Sequence, residues 1–151
     1  MPPLAQDTAP VVATIEHQGR RIVVSCRVAF DGIEHVGRLW FAEQGTGERG
    51  IPDRGAIPGR SAEAVIASAR TLSSQELALR HRRAVAEKRR YLQLRSVTDE
   101  IINRIRYMNQ VAISVRMGMI DQDGAGQEIE LIERQLHDCI GRLRGSAGIE
   151  D

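Results

Sequence analysis

VVATIEHQGRRIVVSCRVAFDGIEHVGRLWFA, residues 11–42, reads as three antiparallel strands in a meander. Gln18-Gly19 and Asp31-Gly32 stand between apolar runs, and X-Gly pairs of this kind favour two-residue hairpin turns. Pairing outward from Asp31-Gly32 sets Phe30 against Ile33, Val28 against His35, Val24 against Leu39 and Ile22 against Phe41. Pairing outward from Gln18-Gly19 sets Ile15 against Ile22 and Ala13 against Val24. Both hairpins then place Val11, Ala13, Ile15, Ile22, Val24, Cys26, Val28, Phe30, Ile33, Leu39 and Phe41 on one face. A slip of one residue would scatter that set across both faces, so the agreement fixes which side is the core. The other side carries Thr14, Glu16, Arg21, Ser25, Arg27, Glu34 and Arg38, as a solvated face should. Glu16 opposite Arg21 offers a cross-strand ion pair. Among these polar residues lie Val23, Val36 and Trp40, the only tryptophan. They are either covered by later segments or form a protein-interaction patch.

Residues 43–59, with five glycines and two prolines, read as a loop that leads into a short helix over 62–71 capped by Ser61. Ala62, Val65, Ile66 and Ala69 give that helix the face to cover the apolar side of the sheet. Ser73 and Glu76 then form a capping box, with Leu72 and Leu77 at the staple positions. From Ser74 to Met117 there is neither glycine nor proline. One helix over 74–118 would be about 67 Å long, against a diameter of about 38 Å for a compact chain of this size. Leu94, Val97, Ile101, Ile105, Met108, Ala112, Val115 and Met119 form an apolar stripe at helical period. Extended backwards, the stripe meets Arg90, Glu87 and Arg83. The expectation is one long helix, its second half in the core and its first half projecting towards a partner. Ile129, Ile132, Leu136, Ile140 and Leu143 mark a return helix over 127–143, antiparallel to the first. The fold expected is α+β: a three-stranded antiparallel meander packed on helices, then a long helix and an antiparallel return helix. Residues 1–10 read as a disordered leader and 145–151 as a frayed tail. Residues 11–72 and 73–144 are expected to share one continuous core.

The composition sets further bounds. Of 151 residues, 42% are hydrophobic and 27% charged, with a net charge of +1 and no apolar run long enough for a membrane helix. Cys26 and Cys139 are too far apart in pattern to form a disulfide framework, which suits a reducing cytoplasm. Lys88 is the only lysine, a bias expected of a GC-rich bacterial genome. Aromatic residues make up only 3% of the chain, which removes the usual stacking platform for single-stranded nucleic acid.

Motifs of chemistry are weak throughout. Gly55-Ala-Ile-Pro-Gly59-Arg60-Ser61 falls short of a phosphate loop by one residue and by its lysine. Asp121-Gln-Asp123-Gly-Ala-Gly126 opens like a calcium loop, but Ile132 stands where a bidentate glutamate is needed. Cys26 and His35 come diagonally close in the expected register without a carboxylate to orient the imidazole. Neither a cofactor, a metal, a small-molecule substrate nor an enzymatic activity is expected.

The remaining feature is RHRRAVAEKRRYLQLR, residues 80–95, where Arg80, Arg82, Arg83, Lys88, Arg89, Arg90 and Arg95 stand beside a single glutamate. Residues 121–138 carry Asp121, Asp123, Glu128, Glu130, Glu133 and Asp138 against only Arg134. Opposite charge blocks point to basic and acidic helices that meet within one chain or between copies. The reading is a non-enzymatic interaction or assembly module, a homo-oligomer through a long coiled-coil helix or a binder of another protein. The alternative is a DNA- or RNA-binding protein that engages phosphates through 80–95.

Overall fold

The computed structural model describes residues 9–148 of the chain. Strands β1 (Val11–His17), β2 (Arg20–Phe30), β3 (His35–Glu43) and β4 (Ile51–Gly59) precede helices α1 (Ala62–Arg70), α2 (Ser74–Arg116) and α3 (Gln122–Ser146). The sheet is an antiparallel meander in the order β1-β2-β3-β4. The class is α+β, with four strands where three were expected. The chain divides into two compact units between Lys88 and Arg89, inside α2. Residues 1–8 of the expected leader and 149–151 of the expected tail lie outside the described residues; Pro10 already accepts a hydrogen bond from Cys26 N, and Gly145 and Ser146 belong to α3.

In the first unit the β1–β2 register is as expected, with Ala13 opposite Val24 and Ile15 opposite Ile22. A bulge between Val11 and Ala13 sets Val11 opposite Ser25, which leaves Val11 exposed and turns Val12 towards the core. Glu16 does face Arg21 across the strands. The β2–β3 register differs from the expectation by two residues: Phe30 pairs with His35, Val28 with Gly37, Cys26 with Leu39 and Val24 with Phe41. Asp31 is the cause. Its carboxylate accepts hydrogen bonds from Ile33 N and Glu34 N, both at 2.9 Å, and its own N–H donates to Glu34 O. These bonds draw Ile33 and Glu34 into the turn and hold the Asp31 carboxyl below the usual range. A shift of two preserves the faces, so the core side survives while Phe30 and Ile33 are left exposed beyond its end.

The fourth strand replaces most of the expected loop. Ile51, Asp53, Gly55 and Ile57 alternate with the exposed Pro52, Arg54, Ala56 and Pro58, a period of two. As an edge strand, β4 pairs only with β3, so it tolerates prolines that a central strand would not. Gly37 on β3 lets α1 approach closely: a Cβ there would run into Val65 of α1 and, at 2.9 Å, into Cys26 Sγ. Ser61 caps α1 by accepting from Ala64 N, and Val65 and Ala69 are buried against the sheet. The side chain of Ser73 caps α2 by accepting from Glu76 N at 3.1 Å.

The start of α2 does not project. Leu77 and Ala84 belong to the hydrophobic core of the first unit, and His81 packs its ring against His17 and Phe41. Positions 77, 81 and 84 follow helical spacing, but a histidine and an alanine make that stripe faint in sequence.

The second unit contains the rest of α2 and α3 as a helical hairpin. Along α2 the more buried positions include Leu94, Val97, Ile101, Arg104, Met108, Val111 and Val115, alternately three and four residues apart, with Glu100 and Ser114 half-buried beside them. Along α3 they include Ala125, Ile129, Ile132, Leu136, Cys139 and Leu143, with the same alternation. That spacing averages about 3.5 residues, the coiled-coil repeat. Hence Ile105, Ala112 and Ile140, expected inside on a 3.6-residue reading, are exposed, while Met119 is exposed in the turn beyond the end of α2. The helix α3 begins five residues before the expected 127, because Asp121 caps it by accepting from Gly124 N at 2.7 Å.

Candidate interaction surfaces

The basic segment begins in the first unit, on the turns of α2 nearest β4. Arg80 and Arg83, three apart, share one side of the helix and reach Asp53 from β4. Arg80 Nη1 donates to Asp53 Oδ2 at 3.2 Å, while Arg83 donates to Oδ1 through Nε at 3.2 Å and through Nη2 at 2.6 Å. The Asp53 side chain is fully buried, whereas those of Arg80 and Arg83 are 19% and 50% exposed. Gly55 lies beneath the arginines: a Cβ there would come within 2.7 Å of Arg80 Nη1 and 2.9 Å of Arg83 Nη2. The hydrogen bond to Asp53, and then its charge, push the Arg83 pKa further up. Glu76 adds a second carboxylate at 3.5 Å from Arg80, and Glu87 pairs with Arg54 of β4 at 3.3 Å. Two of the seven cations therefore bind helix to sheet.

The other five are solvent-exposed. Arg95 approaches the Tyr91 hydroxyl at 3.5 Å, one turn away. Arg82, Lys88, Arg89 and Arg90 make no ion pair among the described residues. No ion pair joins Arg89, Arg90 or Arg95 to the acidic residues of α3 among those residues either. Outside α2 itself, the acid that receives the basic segment among the described residues is Asp53. Sequence reading missed it because β4 was taken for loop; the alternation from Ile51 to Ile57 was the available signal.

The second expected surface is the outer side of the sheet. Trp40, Val23 and Val36 are half-buried there. Trp40 stands opposite Ser25 and Pro52 rather than Val23, a consequence of the shifted register. Arg27 lies over its ring, 4.1 Å from the centroid, and covers one aromatic face. Arg27 is directly opposite Arg38, whose Nη1 donates to Arg54 O at 2.8 Å.

The weak chemical motifs resolve into packing. His35 pairs with Phe30, not near Cys26, and its ring centroid lies 5.2 Å from that phenyl at a tilt of 50°. Burial pushes the Cys26 thiol up, away from thiolate. Burial, with the nearby His17, lowers the His81 pKa. The phosphate-loop echo forms β4 and the α1 cap, and the calcium-like segment is the first turn of α3. Among the described residues no three His, Cys, Asp or Glu are grouped to hold a metal, and no helix is long and apolar enough to cross a membrane.

No family model, curated protein or solved structure matches this chain.

The third surface lies on the hairpin. Glu100 binds Arg142, while Tyr107 donates to Glu128 at 3.2 Å. These contacts set the antiparallel register of α2 and α3. The Arg142 guanidinium lowers the Glu100 pKa, and the Glu128 charge raises that of Tyr107. Ile102, Ile105, Ile113 and Ile140 are between 41% and 53% exposed.

Proposed function

We propose that the protein is a non-enzymatic interaction and assembly module that self-associates through the second half of α2. The observation that carries this reading is the set of exposed isoleucines on the hairpin, Ile102, Ile105, Ile113 and Ile140. A two-helix hairpin has one buried seam, and contiguous apolar surface outside it is stabilised by a further layer. The Trp40, Val23 and Val36 patch is a second surface for protein contact. Two free, buried cysteines suit a reducing cytoplasm as the place of action. Light scattering coupled to size-exclusion chromatography should give a mass at least twice 16.8 kDa at micromolar concentration. A monomer at all accessible concentrations refutes the assembly reading.

A second reading is favoured by Arg82, Lys88, Arg89 and Arg90, exposed cations without acidic partners among the described residues. They are the groups that would meet nucleic-acid phosphates, since Arg80 and Arg83 are engaged by Asp53. Replacing the four by alanine should then abolish a mobility shift with generic DNA or RNA and flatten its salt dependence. Absence of any shift at low salt removes this reading.

A further inference from the structure

The outer side of the sheet sets two cations face to face. Arg27 of β2 is directly opposite Arg38 of β3, and like charges in that position oppose strand pairing. Both are exposed, and neither makes an ion pair among the described residues. Their side chains are nonetheless held in place. The register shift between Arg38 and Trp40 opens the β3–β4 ladder beside Arg54, whose carbonyl accepts from Arg38 Nη1 at 2.8 Å. Arg27 rests on the Trp40 ring, 4.1 Å from its centroid. Guanidinium groups restrained in this way lose little freedom when a ligand arrives.

Arg27 and Arg38 line a cavity of about 270 Å³ together with Ala29 and Val36, the next cross-strand pair. Ligand pockets commonly start at about 300 Å³, so an occupant of this one is small. Asp31 lines the same cavity from the hairpin turn. Its Oδ1 accepts from Ile33 N and Glu34 N, and the two arginines outnumber it. A carboxylate is satisfied by the fork of one guanidinium. Two guanidinium groups facing one space suit a group with three acceptor oxygens and a double negative charge, which is the chemistry of a terminal phosphate.

We propose that this face of the sheet binds a small dianionic phosphate, with Arg27 and Arg38 on the phosphoryl oxygens and any organic body over Ala29 and Val36. The site is separate from self-association through α2 and from the exposed cations of that helix. Binding draws the Arg27 guanidinium towards the phosphate, so the surroundings of the Trp40 ring change with occupancy. The only tryptophan of the chain is therefore a built-in reporter of the site.

The full chain should be titrated with inorganic phosphate and with glycerol phosphate at constant ionic strength, following the Trp40 indole resonance by NMR. A saturable shift with either is expected. Tighter binding of glycerol phosphate assigns the site to an ester, and tighter binding of inorganic phosphate assigns it to the free ion. Arg38→Gln leaves the Arg27–Trp40 contact in place, and should weaken binding about fivefold or more by removing one set of charge-assisted hydrogen bonds. Dimethyl phosphate, with the head group of a nucleic-acid backbone but a single charge, should bind weaker by a similar factor, as should succinate. Affinity for dimethyl phosphate equal to that for glycerol phosphate would give the arginines to a nucleic-acid backbone, and equal affinity for succinate would give them to carboxylates. Either result overturns the proposal, as does wild-type affinity in a folded Arg38→Gln variant or the absence of any saturable shift.

Discussion

Replacing Arg80 and Arg83 together by alanine should destabilise the first unit by about 3–5 kcal/mol, the usual cost of leaving a buried charge without its partner. The Asp53 carboxylate is fully buried, and its two arginines provide every side-chain hydrogen bond it accepts among the described residues. Either single replacement should cost less, because the remaining guanidinium still neutralises the charge. Trp40 lies on the sheet and is the only tryptophan, so urea unfolding followed by its fluorescence reports this unit directly. A converse result is expected when the charges leave together. Asp53→Leu with Arg80→Met and Arg83→Met removes the desolvation cost on both sides and should restore much of the loss. If the double alanine variant unfolds at the wild-type urea midpoint, the three-residue cluster does not tie the helix to the sheet.

Leu77→Ala should cost about 2–5 kcal/mol, the range for removing a large buried aliphatic side chain. Leu77 is 2% exposed in the core that holds Phe41, Leu39 and Val65. Leu79, two residues on and 54% exposed, is the internal control, and its alanine variant should stay within about 0.5 kcal/mol of wild type. The pair separates a docked helix from a projecting one. Equal, small effects at both positions would mean that the first turns of α2 stand in solvent.

The sheet was legible where alternation was strong. The faces of β1, β2 and β3 follow from Ile15, Ile22, Val24 and Leu39, and the register of the first hairpin follows from Gln18-Gly19. The second register did not, since Asp31 recruits two further residues through backbone hydrogen bonds that a dipeptide rule ignores. The β4 strand was hidden by Pro52, Pro58 and its glycines, which signal a loop unless the strand is at an edge. On the helices, Ile105 and Ile140 were assigned inward because a 3.6-residue stripe and a coiled-coil seam diverge slowly and agree over short spans. Of the candidate site, the basic segment was plain in the sequence. Its division into Arg80 and Arg83, which bind Asp53, and the exposed remainder depended on a strand that had been read as loop.

The prolines of β4 have one more consequence. A sheet edge grows by offering amide hydrogens and carbonyls to an incoming strand, and proline withholds the hydrogen. Pro52 and Pro58 flank the edge strand at both ends, so a stranger's backbone finds gaps where donors should repeat. Extension of the meander into a larger sheet is disfavoured on that side, and such growth is a common route to fibrous aggregates. The residues that made this segment look unstructured thereby help to keep the sheet finite.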